Sequence, residues 1–202
     1  MSRLAVTSEE NRAMRVSKKA MAEHHQAIVS AAARLFREEG IGRTSVAEVM
    51  QAAGLTHGGF YRHFDSKEAL VAEAVTAAFD EFVEWLASRK EKNGAGDAVA
   101  TFSERYLSDA HFKRPGQGCP IPTFGIDLAR EDQDARKPFA EGVERLVAAL
   151  ADGMRGNSRQ RRAAAMRRLA TLAGAIVIAR AVDRELAAEV LAACRGPESE
   201  KV

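Results

Sequence analysis

The sequence predicts an all-α protein: an N-terminal three-helix unit followed by a larger helical body. Three observations predict it. Apolar residues recur three and four apart through almost every segment. Ala, Leu, Val, Glu and Arg dominate a chain of 202 residues with only five prolines and few aromatics. Glycine-bearing breaks at Gly40, Gly54, Gly94–Gly96, Gly116–Gly118, Gly153–Gly156 and Gly196 separate the periodic stretches at helix-length intervals. The length allows one domain with a good core or two small ones.

Residues 1–21 are polar and lack sustained periodicity, so the expectation is a flexible arm whose Arg12, Arg15, Lys18 and Lys19 reach DNA or simply remain solvated. From Ala22 to Glu39, Ile28, Ala31, Ala32, Leu35 and Phe36 form one apolar stripe, ended by Gly40. Val46, Val49 and Met50 lie at helical spacing in the next segment, which Gly54 stops. Leu55 packs the turn, Thr56 is placed to cap the following helix, and Phe60 and Phe64 give that helix one buried face. Its other face, Thr56, His57, Gly58, Tyr61, Arg62 and His63, carries no acid. Helix, glycine turn and solvent-facing second helix make a helix-turn-helix over residues 22–67, whose second helix suits a DNA major groove.

Ser66 caps a long helix from there to about Lys90, with Glu68 at its positive end. A rigid helix leaving the head is a natural lever. Asp97 starts another helix bearing Val99, Phe102, Tyr106 and Leu107. Lys113 to Pro120 reads as a loop, and Pro122 sits in the first turn of a short helix holding Phe124, Ile126 and Leu128. Phe139, Val143, Leu146, Val147 and Leu150 mark a helix from about Asp134 to Met154. Ser158 caps a helix that is basic through Arg168 and apolar nearly all round from Leu169 to Ile178, and Asp183 caps the last one. A helix apolar on all sides is buried on more than one side. Ala170, Ala173, Gly174 and Ala175 permit close helix approach, so the last two helices are expected to form half of a four-helix dimer interface. Residues 68–202 are thus the regulatory and dimerisation domain, the alternative being that the apolar helix is internal core.

The run Thr44-Ser45-x4-Met50-x2-Ala53-Gly54-Leu55-Thr56-x-Gly58-x-Phe60-Tyr61-x-His63-Phe64-x-Ser66-Lys67-Glu68-x-Leu70 resembles the DNA-binding signature of the tetracycline-repressor family, and the resemblance extends from about Ile28 to Leu70. It implies a recognition helix that touches bases and phosphates. His57 is then best placed for a base contact, Thr56 for a phosphate or base, and Gly58 for close backbone approach. Tyr61, His63 and Lys67 match phosphate-binding positions. Arg43, Thr44 and Ser45 lie at the N-terminus of the preceding helix, where the dipole and free N–H groups favour phosphate. The resemblance also implies a small-molecule pocket in the body, for which Phe82, Trp85, Phe102, Tyr106, His111, Cys119 and Phe124 are the candidates, suited to a hydrophobic or aromatic effector. Some members of the family sense electrophiles through a cysteine in a loop like that of Cys119, which lies near Lys113 and Arg114. The preferred reading of Cys119 is nonetheless a small buried residue.

Other function classes find less support. The net charge of +2 does not by itself predict nucleic-acid binding, but residues 1–67 hold ten Lys or Arg against seven Asp or Glu. His111 and Cys119 lack a third orienting group, and Gly94-Ala95-Gly96 lacks the Lys and Ser of a phosphate-binding loop, so no enzyme and no cofactor is expected. His24 and His25 are adjacent and point to different helix faces, so no metal site is expected. The N-terminus has no apolar core before a cleavage site, no stretch is long and apolar enough for a membrane span, and two cysteines suit a reduced cytoplasm. The expectation is a homodimeric, cytoplasmic repressor that binds a double-stranded palindromic operator and releases it on binding a small molecule. The alternative is a ligand-independent architectural DNA-binding protein.

Overall fold

A computed structural model describes residues 8–195. Among them are nine α-helices and two short 3-10 turns, with no strand. α1 (Ser8–Glu39), α2 (Val46–Ala52) and a 3-10 turn (His57–Arg62) make the head. α3 (Lys67–Asn93) leads into the body, formed by α4 (Ala95–Tyr106), α5 (Asp109–Lys113), α6 (Ile121–Leu128), α7 (Gln133–Ala151), α8 (Ser158–Ala181) and α9 (Arg184–Arg195).

Residues 8–21, expected in an arm, are the first turns of α1. Glu9 and Glu10 favour the helix start, and no Gly or Pro occurs from Ser8 to Glu39, so the segment is helical by propensity alone. Ser17–Lys19 and Met21–His24 are exposed there, so no buried apolar stripe forms. Residues 1–7 lie outside the described residues. The stripe proper, Ile28, Val29, Ala32, Ala33 and Phe36, is buried against the head and α3.

α3 is the spine. It packs on α1, α4 and α7 and buries Leu70, Val71, Ala74, Val75, Ala78, Phe79, Phe82 and Leu86. Ser66 caps it by accepting from the Ala69 N–H at 3.2 Å. It runs to Asn93, and α4 begins at Ala95, earlier than Asp97, because Gly94 at φ +86° reverses the chain in one residue. Asn157, not Ser158, caps α8, through a reciprocal pair with Gln160. Asp183 caps α9 by accepting from the Leu186 N–H at 3.0 Å. The segment read as a loop, Lys113 to Pro120, holds a second 3-10 turn (Pro115–Gln117), and α5 just before it is capped by Ser108, which accepts from the His111 N–H at 3.3 Å.

Where α7 crosses α3, Gly142 lies flat on the Phe79 ring, and a Cβ there would overlap it. Phe79 is fully buried and meets Phe139 edge-on at 5.5 Å. Gly142→Val is therefore expected to cost about 3 kcal/mol by forcing the helices apart. Its denaturation midpoint measures this; an unchanged midpoint would mean that α7 slides without loss.

Candidate nucleic-acid interface

The head is built from local rules. The Ser45 hydroxyl accepts from the Glu48 N–H at 3.2 Å, while the Glu48 carboxylate accepts from the Ser45 N–H and hydroxyl, each at 2.7 Å. This capping box starts α2. Gly54 stops it as expected, at φ +72° in the left-handed conformation. The Leu55 N–H returns to the Met50 carbonyl at 2.9 Å, turning the chain toward Thr56.

The second helix is a 3-10 turn of six residues. Gly58 and Gly59 weaken the α-helix there, and nothing N-terminal holds it: Thr56 occupies the cap position without a side-chain cap bond, contrary to expectation. Tertiary contacts fix the turn instead. Phe60 and Phe64 are buried and stacked at 5.6 Å, in the same core as Val49 and Met50. The polar side stays open: Thr56, His57, Gly58 and Arg62 are exposed and Tyr61 is 74% exposed, its ring edge-on to Phe60 at 5.2 Å. A Cβ at Gly58 would meet nothing within 4 Å, so its backbone is accessible. Thr56, His57, Gly58, Tyr61 and Arg62 are therefore all open to solvent, with no acid among them.

The flanking residues sit differently. His63 is half-buried, its ring 5.9 Å from His25 and 6.4 Å from His24. Partial burial, then His25, His24 and Arg62, hold its pKa below the ordinary imidazole value. At neutral pH it offers a phosphate a ring N–H, not a charge. Lys67 donates to the Ile41 carbonyl at 2.7 Å and lies 5.9 Å over the Phe36 ring. One of its three protons thus ties α3 to the turn after α1.

The phosphate site expected at the start of α2 requires correction. Thr44 is buried, and its hydroxyl and N–H both donate to the Gly40 carbonyl, at 2.9 and 3.3 Å. The Ser45 donors are taken by Glu48, whose carboxylate these bonds hold below its ordinary pKa. An anion therefore already stands at that helix end. Of the three residues, Arg43 alone is exposed with no partner among the described residues.

The body residues expected to line a pocket form packed core. Phe82, Phe102, Tyr106, His111, Cys119 and Phe124 are buried, and Trp85 is half-buried. Phe102 meets Tyr106 at 5.4 Å, Phe82 at 6.4 Å and Trp85 at 6.3 Å, and Tyr106 meets His111 at 4.6 Å. Phe124 is buried elsewhere in the same core, outside these ring contacts. The space lies at the edges: a shallow recess of about 150 Å³ between α3, α4 and α7, and a cleft of about 550 Å³ between head and body. Sequence reasoning missed the cleft because its walls come from five separate segments.

His111 is a brace. Its Nε2 accepts from the Cys119 N–H at 2.7 Å, so the proton is on Nδ1, which donates to the Tyr106 carbonyl at 2.6 Å. Burial lowers its pKa to about 4. Burial likewise pushes the Cys119 thiol up to about 11. Cys119 is therefore the small buried residue of the preferred reading, fully buried and a thiol, not a thiolate, at neutral pH, and the sensor reading finds no support in it. Lys113 and Arg114, neighbours in sequence, are on the surface.

Residues 28–74, the stripe of α1 through the first turns of α3, match the family model of the bacterial regulatory proteins, tetR family. The head over these residues is that of the tetR family. The HTH-type transcriptional repressor KstR2 of Rhodococcus jostii is 33% identical over 88 residues, covering 42% of this chain and 43% of that protein. The chain spans about half the length of the curated relatives it matches. A tetR-family regulator from Chloroflexus aurantiacus has the same fold at TM-score 0.69 and 25% identity, over 88% of this chain and 92% of that one. FadR of Bacillus subtilis, solved with stearoyl-CoA, shares the fold at TM-score 0.60 and 17% identity, over 85% and 97% of the two chains. The relatives are named as transcriptional regulators, not enzymes. Among the described residues, no helix is long and apolar enough to cross a membrane.

Proposed function

We propose that this chain is a homodimeric transcriptional repressor of the cytoplasm that reads a palindromic operator with two copies of the His57–Arg62 turn and is released by a small molecule. The observation that carries the reading is the turn itself: Phe60 and Phe64 hold it, and Thr56, His57, Gly58, Tyr61 and Arg62 stand open and unopposed by acid. Arg43, His63 and Lys67 flank that face and supply phosphate contacts.

The dimer rests on α8 and α9. One side of α8 packs into the body through Leu169, Leu172, Ile176 and Ala179. The other exposes Met166, Arg167, Ala170, Thr171 and Ile178, three of the five apolar, and α9 adds Leu186, 44% exposed. A Cβ at Gly174 would meet nothing within 4 Å, leaving room for a partner helix. Such a surface matches the apolar core of an isologous interface.

The packed aromatic cluster favours the second reading, a ligand-independent architectural protein; the 550 Å³ cleft favours control by a ligand. Selection of bound fragments from random DNA by the purified protein decides between them. A palindromic site bound by two chains at nanomolar concentration is the expected result, with Ile178→Glu/Leu186→Glu giving monomers that bind it poorly. Weak binding without sequence preference would overturn the repressor in favour of the architectural role.

A further inference from the structure

The cleft between head and body has a composition unlike the core beside it. Ala27, Ser30 and Ala31 of α1 and Ala52 and Ala53 at the end of α2 form a wall of small side chains on the head side. Facing them from the body are Glu81 of α3, Arg105 of α4, and Gly116 and Gln117 of the second 3-10 turn. Arg34 and Arg37 of α1 complete the lining. Three guanidinium groups from two helices therefore meet in one concavity.

Two of the three are already matched. Arg37 is almost fully buried: its Nε donates to the Ala33 carbonyl at 2.8 Å, its Nη1 to the Gly118 carbonyl at 2.9 Å, and both terminal nitrogens to the Glu81 carboxylate at 3.1 Å. Arg34 pairs with Glu38 at 2.7 Å. Arg105 has no carboxylate partner among the described residues. Its guanidinium is spread on the Trp85 ring at 4.4 Å and the Phe82 ring at 5.6 Å, and Arg89 lies over the same indole at 5.6 Å, its Nε buried without a hydrogen-bond partner. Two cations thus share one aromatic platform, and the one carboxylate lining the cleft, Glu81, is bonded to Arg37, so a negative ligand relieves their repulsion.

We propose that this cleft binds a small organic oxyanion, a carboxylate or phosphate on a compact apolar body, with Arg105 as its principal partner. The planar fork of Arg105 is open to an oxyanion and is already oriented by Trp85. The alanine wall suits a ring or short chain, and the volume falls in the range of small-molecule sites. Because one wall is head and the other body, a ligand bridging Arg105 to α1 sets the angle between α1 and α3. Its influence on DNA rests on the repressor reading above; its binding does not.

Isothermal titration of the full chain with benzoate, phenyl phosphate and inorganic phosphate, against the neutral benzamide, tests the site. The expected result is one benzoate or phenyl phosphate per chain and no benzamide, with inorganic phosphate weaker for want of the apolar body. Arg105→Gln, at an exposed position that leaves the fold intact, weakens binding about tenfold or more, and Arg105→Lys recovers part of it. Absence of binding by all three anions, equal binding of benzoate and benzamide, or unchanged affinity in Arg105→Gln overturns the proposal. Operator affinity measured with and without saturating benzoate separates the two claims. Benzoate bound with operator affinity unchanged overturns the coupling alone, whereas failure to select any operator overturns the repressor reading and leaves the anion site standing.

Discussion

Replacing His57 and Tyr61 together by alanine is expected to lower affinity for the selected operator by about a thousandfold, with the melting temperature unchanged. A specific contact of this kind is worth about 1–3 kcal/mol, or roughly fivefold to a hundredfold and more. Neither side chain supports the fold to any extent: His57 is exposed, and Tyr61 is 74% exposed with only its edge against Phe60. The single variants separate the roles. His57→Ala, which removes a base contact, relaxes sequence preference at one position of each half-site. Tyr61→Phe, which removes only the hydroxyl, weakens binding evenly across sequences. Gel-shift titration reads both, and full affinity in the double variant would place the recognition surface elsewhere.

The second large effect concerns His111 and acid. The folded protein holds this imidazole at a pKa of about 4, against 6.5 ordinarily, because it is buried and because protonating Nε2 would set two donors face to face with the Cys119 N–H. Below pH 6.5 the unfolded chain takes up a proton that the folded chain refuses. The stabilisation from the neutral ring is therefore complete above pH 6.5 and declines as pH falls toward 4, by about 3 kcal/mol in total and about 2 kcal/mol by pH 5. His111→Ala is expected to cost about 3 kcal/mol at pH 7, since it strands the buried Cys119 N–H and the Tyr106 carbonyl. It should also remove this part of the acid sensitivity. Denaturant midpoints at pH 7 and pH 5 for both proteins measure it; parallel losses in the two would assign the sensitivity to other groups.

Arg180 completes that brace. Its guanidinium donates to the His111 carbonyl at 2.7 Å and the Phe112 carbonyl at 3.2 Å, so α8, whose outer face is the proposed dimer surface, holds the end of α5. Arg195 of α9 does the same for the end of α4, through the Leu107 carbonyl at 2.8 Å. The cationic side chains thus satisfy helix C-terminal carbonyls that would otherwise be orphaned.

What the sequence determined by itself was everything settled within about four residues. The caps at Ser45, Ser66 and Asp183, the left-handed glycines Gly40, Gly54 and Gly94, and the periodic burial of Ile28 to Phe36 and of Leu70 to Leu86 all follow from local hydrogen bonding and helical spacing. The same locality made the head legible, since its motif is contiguous. The tertiary structure alone decided which polar groups were spent on the fold. Lys67 meets a carbonyl 26 residues away, Arg37 one 81 residues away, and Arg180 one 69 residues away. Those partners took Lys67 partly out of phosphate service, buried Cys119 beneath its brace, and closed the expected aromatic pocket by packing its rings on one another. They also opened a cleft where small residues of α1 and α2 face Arg105. A residue's type fixes what it can donate or accept, but the dielectric and the partners it meets are set by segments distant in sequence, and these convert a candidate ligand contact into core or leave it free to bind.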